Sequence, residues 1–266
     1  MTLHAAPLRR PAAALAIAVF ALFAAPAATF AAETETETAV PVLTSASPSQ
    51  EQVWGAQLFA EGCASCHGLK GEGTADSPAL TNVGAAAVHF QVSTGRMPIA
   101  TIASQAMRRP HSMYTDEEAR AIAAWVAGLG SGPAIPSAEQ VNYKNADLAL
   151  GGEVFRTNCA QCHSFSGQGG ALTQGKQAPN LMKATPIEIY EAMLVGPNNM
   201  PQFSDTTVPP AEKQAVIKYI EFLKQPTNPG GLDLGRLGPV SEGLYGWVFG
   251  FGLLVVVAIW IGVKAK

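Results

Sequence analysis

Hydrophobic and polar positions divide the 266-residue chain into two apolar ends and, between them, two amphipathic stretches of similar grammar. Arg9 and Arg10 lead into an apolar run at 12–23, and small residues fill 24–32. That order predicts an export signal, cleaved within 27–32, or else an N-terminal anchor. Residues 33–50 alternate Glu with Thr and then turn to Pro and Ser, which predicts a disordered acidic tether. Val53, Trp54, Leu58 and Phe59 then predict the apolar face of a helix. A Gly- and Pro-rich loop at 68–83 and a mixed segment at 85–92 follow. Thr115 with Glu118 three residues on predicts a capping box, opening a helix that runs through Ile122, Trp125, Val126 and Leu129.

The second stretch repeats the plan. Val154 and Phe155 lead in, a polar, glycine-rich loop occupies 167–175, and a helix is predicted over 186–194. A last helix starts near Pro209-Pro210, which suits a first turn, and continues through Val216, Ile217, Ile220 and Leu223. Beyond a Pro/Gly-rich stretch, residues 244–263 carry no charge and are long enough to span a bilayer. Tyr245, Trp247 and Trp260 mark the two interfaces, and Lys264 and Lys266 put the end that follows in the cytoplasm. Gly246 and Gly250 form a small-xxx-small pattern that lets another membrane helix approach. The expected organisation is a signal or anchor at 1–32, a tether at 33–50, a domain at 51–130, a linker at 131–145, a second domain at 146–225, a linker at 226–243 and a transmembrane helix at 244–263.

The chemistry sits at equivalent places in the two stretches. Cys63-Ala64-Ser65-Cys66-His67 and Cys159-Ala160-Gln161-Cys162-His163 are both Cys-x-x-Cys-His, the attachment signature of a c-type haem. Two cysteines three residues apart share one side of a helical turn, so each can bond one vinyl group of the same porphyrin. Cys63, Cys66, Cys159 and Cys162 are therefore the candidate covalent attachments of two haem c groups, and His67 and His163 the candidate iron ligands. A glycine and an aromatic precede each motif at one offset, Gly55 and Phe59 in the first copy and Gly151 and Phe155 in the second, which marks an internal duplication. Gly55 would let the first and last helices of its domain cross closely, with Phe59 and Trp125 walling off the haem. A zinc site would need four ligands from nearby pairs, and these pairs lie about 96 residues apart.

An iron held by one histidine needs a second axial ligand. Met97, Met107 and Met113 are candidates in the first stretch, and Met182, Met193 and Met200 in the second. Met97-Pro98 and Met200-Pro201 stand out, because each follows a glycine-bearing loop and precedes the last helix of its domain. Proline removes a backbone donor beside the sulfur, and His/Met ligation raises the reduction potential. His89 and His111 are the alternatives in the first domain, although a spare histidine is more often a surface residue or a satisfied core residue. Net charge is -3, and every Asp and Glu lies between the apolar ends. No basic patch with interleaved aromatics points to nucleic acid.

The segments Val88-His89-Phe90-Gln91-Val92-Ser93-Thr94-Gly95-Arg96-Met97-Pro98 and Ala192-Met193-Leu194-Val195-Gly196-Pro197-Asn198-Asn199-Met200-Pro201 resemble those of the dihaem cytochrome c subunit of the actinobacterial cytochrome bcc menaquinol reductase. So does the order of signal, two haem domains and C-terminal anchor. The resemblance implies a mainly α fold with two tandem cytochrome c-type domains and one C-terminal transmembrane helix. It implies a quinol–cytochrome c reductase (translocase) subunit that carries electrons and does no substrate chemistry of its own. It also implies three partners: cytochrome b, the Rieske iron–sulfur protein and an aa3-type cytochrome c oxidase. The haem domains would lie outside the cell membrane, with the C-terminus cytoplasmic. The alternatives are a dihaem peroxidase or other small-molecule oxidoreductase with one open iron position, and the dihaem subunit of a cbb3-type oxidase. In the latter the permanent anchor is expected before the haem domains.

Overall fold

The computed structural model describes residues 49–101, 103–225 and 239–265. The expected signal and nearly all of the expected tether lie outside the described residues, as does most of the expected 226–243 linker.

Each half is built around a pair of crossed helices. In the first, α1 (Gln50–Gly62) crosses α4 (Asp116–Ala127). In the second, α5 (Leu148–Asn158) crosses α8 (Pro210–Lys224). Glycine sets how closely they approach. A Cβ on Gly55 would lie 1.8 Å from the Ala121 carbonyl oxygen, and one on Gly151 would lie 2.0 Å from that of Ala215. Both distances are inside van der Waals contact, so backbone meets backbone at the two crossings. Aromatic rings close the same contacts. The Phe59 and Trp125 centroids are 4.2 Å apart, and those of Phe155 and Tyr219 are 5.3 Å apart.

Local capping decides where the helices begin. Thr115 accepts from the Glu118 amide and the Glu118 carboxylate accepts from the Thr115 amide, which is the box expected from sequence. The same device starts α7 (Pro186–Val195) at Thr185 and Glu188, with Pro186 in the first turn. It also starts α1 at Ser49 and Gln52, so that the cap and first residue of the helix fall at the end of the stretch expected as tether. α4 ends at Ala127, short of the expected Leu129, because Gly128 caps it. The mixed segment is a helix, α3 (Ala85–Ser93), whose Ala86, Val88, Phe90 and Val92 are all buried.

One face is corrected. Val53 and Trp54 are 47% and 40% exposed, whereas Gly55 and Phe59, four apart, face α4. Apolar residues at Val53 and Trp54 point away from the crossing that the glycine dictates, so hydrophobicity alone misassigned them.

The cysteine motifs form two short turns of helix, α2 (Ala64–His67) and α6 (Ala160–His163). The loop after the second is longer and holds a small antiparallel ladder, β1 (Gly170–Ala171) with β2 (Gln177–Ala178). The two halves are part of one compact unit. α3 packs on α7, and a buried cluster joins them: His89 Nδ1 lies 2.6 Å from Glu191 Oε1, and His89 Nε2 lies 2.9 Å from Asp116 Oδ1. Arg108 donates a fork to Glu188 at 2.7 and 3.0 Å, and Gln105 exchanges two hydrogen bonds with the Gln177 backbone.

At the C-terminal end, α9 (Pro239–Gly246), a π-helical turn (Trp247–Phe251) and α10 (Gly252–Lys264) run on as one helix. Val240–Lys264 is 25 residues, long and apolar enough to cross a membrane. Its large apolar side chains, Trp247 and Trp260 included, are exposed, and a Cβ on Gly246 or Gly250 would meet nothing.

Candidate haem sites

In each half the first long helix delivers its motif to the core. α1 hands over to Cys63 as its C-cap, and α5 hands over to Cys159. The histidine that follows is then held by its ring. His67 Nδ1 is 2.8 Å from the Pro78 carbonyl oxygen, and His163 Nδ1 is 2.9 Å from that of Pro179. A carbonyl oxygen can only accept, so Nδ1 carries the proton in both rings. Nε2 is left with its lone pair, the form in which imidazole ligates a metal. Burial, outweighing the Pro179 bond, holds His163 below the ordinary imidazole range, so the neutral ligating form prevails at neutral pH. Backbone bonds repeat this framing: the Gly73 amide donates to the His67 carbonyl and the Gly169 amide to that of His163. The proline carbonyls were not singled out from the sequence. Their only signal was a proline at the far side of each post-motif loop, 11 residues after His67 and 16 after His163.

The two methionines before proline are brought to the same cores as the cysteines. Met97 and Cys63 both pack on the cluster of Phe59, Val88, Val92 and Ile122. Met200 and Cys159 both pack on the cluster that holds Phe155, Ile189, Val216 and Ile220. The rival side chains differ in exposure and partners, although Met107 and Met193 border the same second-half cavity as Met200. Met107 and Met113 are 51% and 67% exposed, and Met193 is a buried member of the second core. His89 is buried with both ring nitrogens on carboxylates, a satisfied core histidine with no nitrogen to spare. His111 is exposed.

A cavity in the second half tests whether a haem fits. Its lining brings together Cys159, Cys162, His163 and Met200, with Phe155, Ile189, Val216 and Ile220 as apolar wall. Both thiols, one imidazole and the Met200 thioether therefore line a single space with apolar sides, which Met107 and Met193 also border, and together they supply the donor types of a covalently tethered porphyrin. Burial and the neighbouring Cys162 push the Cys159 thiol up to about 12, and burial and Cys66 push Cys63 up to about 11. Such surroundings suit a neutral thioether and penalise a thiolate. The four cysteines are free, and among the described residues no cluster of three or more His, Cys, Asp or Glu could hold a metal by itself. The two cysteine pairs are thus not gathered into a zinc knuckle. The cavity's other wall comes from the first half: Phe90, Arg96 and the segment 105–108.

Crossed helices locked at a glycine, a Cys-x-x-Cys-His turn and an oriented imidazole define a c-type cytochrome. The family model described as "Cytochrome c" matches residues 53–130, and the one described as "Cytochrome C oxidase, cbb3-type, subunit III" matches residues 146–220. Relatives match far more of the chain. The cytochrome bc1 complex cytochrome c subunit of Corynebacterium efficiens is 43% identical over 79% of this chain and 76% of its own length. The protein of that name in Mycobacterium leprae is 41% identical over 79% of this chain and 75% of its own, and that of Mycobacterium tuberculosis is 42% identical over 79% and 77%. The chain belongs to the family of cytochrome bc1 complex cytochrome c subunits. It is an electron-carrying cytochrome c with covalently bound haem c.

Proposed function

We propose that this chain holds two haem c groups and carries electrons from the Rieske and cytochrome b part of a menaquinol reductase to an aa3-type oxidase. One observation carries the reading: the same constellation of two thiols, a carbonyl-oriented imidazole and a core-packed methionine occurs twice within one compact unit. The relatives' name supports assembly into a bc1-type complex, and the sequence resemblance supports the oxidase as acceptor.

When bound, each haem supplies a one-electron couple. The chain's own residues do the rest. Cys63 and Cys66 would hold the first group, and Cys159 and Cys162 the second. The Pro78 and Pro179 carbonyls keep His67 and His163 in the tautomer that offers Nε2. Met97 and Met200 would each supply a thioether sulfur as a further ligand. An imidazole and a thioether committed to each iron would leave the chain no position to offer a peroxide or another substrate. The Val240–Lys264 helix would anchor the chain in the cell membrane, with the haem-bearing part outside and Lys264 on the cytoplasmic side. That anchor follows the haem motifs, which sets the chain apart from the arrangement expected of a cbb3-type subunit.

Purification in mild detergent with a reduced-minus-oxidised spectrum tests the reading. Two c-type haems per chain, together with cytochrome b and oxidase subunits, are expected. Recovery as a lone monomer, or carbon monoxide binding to the reduced protein, would overturn the relay. Met200→His should remove the sulfur–iron band of one haem and lower its potential, and Met97→His should do so for the other. Bands that survive both changes would remove these methionines as ligands.

A further inference from the structure

Charged side chains are seldom buried without a partner, because the lost hydration costs several kcal/mol per ion. The described residues obey this with one exception. Buried Lys213 donates to Asp205 at 2.6 Å and to the Val208 carbonyl at 2.8 Å. Glu188 is forked by Arg108 through both oxygens, and His89 and Glu191 hold each other. Arg96 is 8% exposed, and its Nη1 has no hydrogen-bond partner. Its guanidinium lies over the Phe90 ring, 4.6 Å from the centroid, which satisfies a face and none of the N–H groups. Glu188, the acid that interacts with it through space, is already engaged by Arg108.

Arg96 and Phe90 belong to the first half, yet both line the cavity that holds Cys159, Cys162, His163 and Met200. The unmatched cation therefore faces the space reserved for the second haem. A haem carries two carboxylates on one edge, and a planar guanidinium with parallel N–H donors is the side chain that matches a carboxylate bidentately.

We infer that Arg96, contributed by the first half of the chain, is the charge partner of the carboxylate edge of the haem seated in the second half. This rests on the two-haem reading above. It has two consequences. The second haem site is completed by the first half, so the halves are coupled through the cofactor as well as through the His89–Glu191 clasp. In addition, Arg96 is bonded directly to Met97, the proposed sulfur ligand of the first iron. One peptide unit then touches both redox sites, a short connection through bonds between them.

The test uses the full-length chain in its detergent-purified complex. Covalent haem is counted by pyridine haemochrome, and the two potentials are titrated spectroelectrochemically. The waves are assigned by which one falls in Met97→His and which in Met200→His. Removing a buried cation beside a haem favours the ferric state. Arg96→Leu should therefore lower the second-haem wave by about 59 mV, a tenfold change in a one-electron equilibrium. The haem count and both sulfur–iron bands should stay unchanged. Arg96→Lys, which keeps the charge without the fork, should restore most of the shift. If Arg96→Leu fails to accumulate, Arg96→Gln carries the same expectation. Two haems with an unshifted second wave, or a shift confined to the first wave, would overturn the inference. Fewer than two covalent haems in the unaltered chain would instead overturn the reading on which it rests.

Discussion

The two halves share a plan and differ in enclosure. Both cross their helices at a glycine, both tie the histidine Nδ1 to a proline carbonyl, and both pack a methionine on the core that receives the first cysteine. The first half reaches its proline in 11 residues, and His67 is only half-buried. The second takes 16, adds the β1–β2 ladder and buries His163 to 8% exposure. It also borrows Phe90, Arg96 and the 105–108 segment from its neighbour as a wall. The two halves repeat what a haem requires, and the first also helps to wall the second. Within the proposed relay, the more open first site is the one suited to exchange with an outside partner.

The largest expected effect separates the halves at their crossings. Gly55→Ala should cost the first half about 3 kcal/mol or more, because the new Cβ meets backbone that cannot turn aside. Gly151→Ala should do the same to the second. Calorimetry on the two variants reads the effect, and equal stability to the parent in either would refute the close approach at that site.

Next is the clasp between the halves. His89→Ala strands the fully buried Glu191 carboxyl and should cost about 3 kcal/mol in urea unfolding. The halves should then melt in separate steps while both haems stay covalently attached. A single, unshifted transition would show that the clasp does not join them.

The same cluster predicts a pH dependence. Burial alone would lower His89, but Glu191 and then Asp116 outweigh it and raise His89 above its ordinary 6.5, against a smaller opposing effect of Arg120. Burial raises Glu191 above its ordinary 4.5, overcoming the pull of His89 and Arg120, with Glu188 adding to the rise. Both groups bind their protons more tightly folded than unfolded. Their contribution is therefore fullest at low pH, begins to fall above 4.5 for Glu191 and above 6.5 for His89, and is lost as each passes its folded value. Urea midpoints at pH 6 and above should drop with rising pH in the parent and less steeply in the His89→Ala/Glu191→Gln double variant, which lacks both titrating groups. Parallel slopes would remove the cluster as the cause.

The smallest effects are at the helix starts. Thr115→Ala and Thr185→Ala each remove one capping box and should cost about 1 kcal/mol. Thr185→Ala should also loosen the α7 turn that presents Glu188 to Arg108, so it should weaken the joint between halves more than Thr115→Ala does.

Much of this was legible in the chain. Cys-x-x-Cys-His is read locally, since three covalent or coordinating groups on one turn need no distant residue to be recognised. Thr115 with Glu118, Pro209-Pro210 and the uncharged 244–263 run are likewise signals of short range, and the helices they announced are present. Gly55 was read correctly because its offset from Phe59 recurs at Gly151 and Phe155. Val53 and Trp54 were misread because hydrophobicity does not say which side a glycine crossing will bury. The Pro78 and Pro179 carbonyls escaped notice because a backbone acceptor has no side-chain signature.

The sequence by itself therefore determined the cofactor chemistry, the duplication and the C-terminal apolar helix, because each is encoded by residues close together in the chain. Only the tertiary structure decided that His89 is a structural tie to Glu191, that Arg108 is matched by Glu188, and that Arg96 faces the cavity of the opposite half. These contacts join positions some 80 to 100 residues apart. Whether a buried charge has a partner depends on what folding brings beside it.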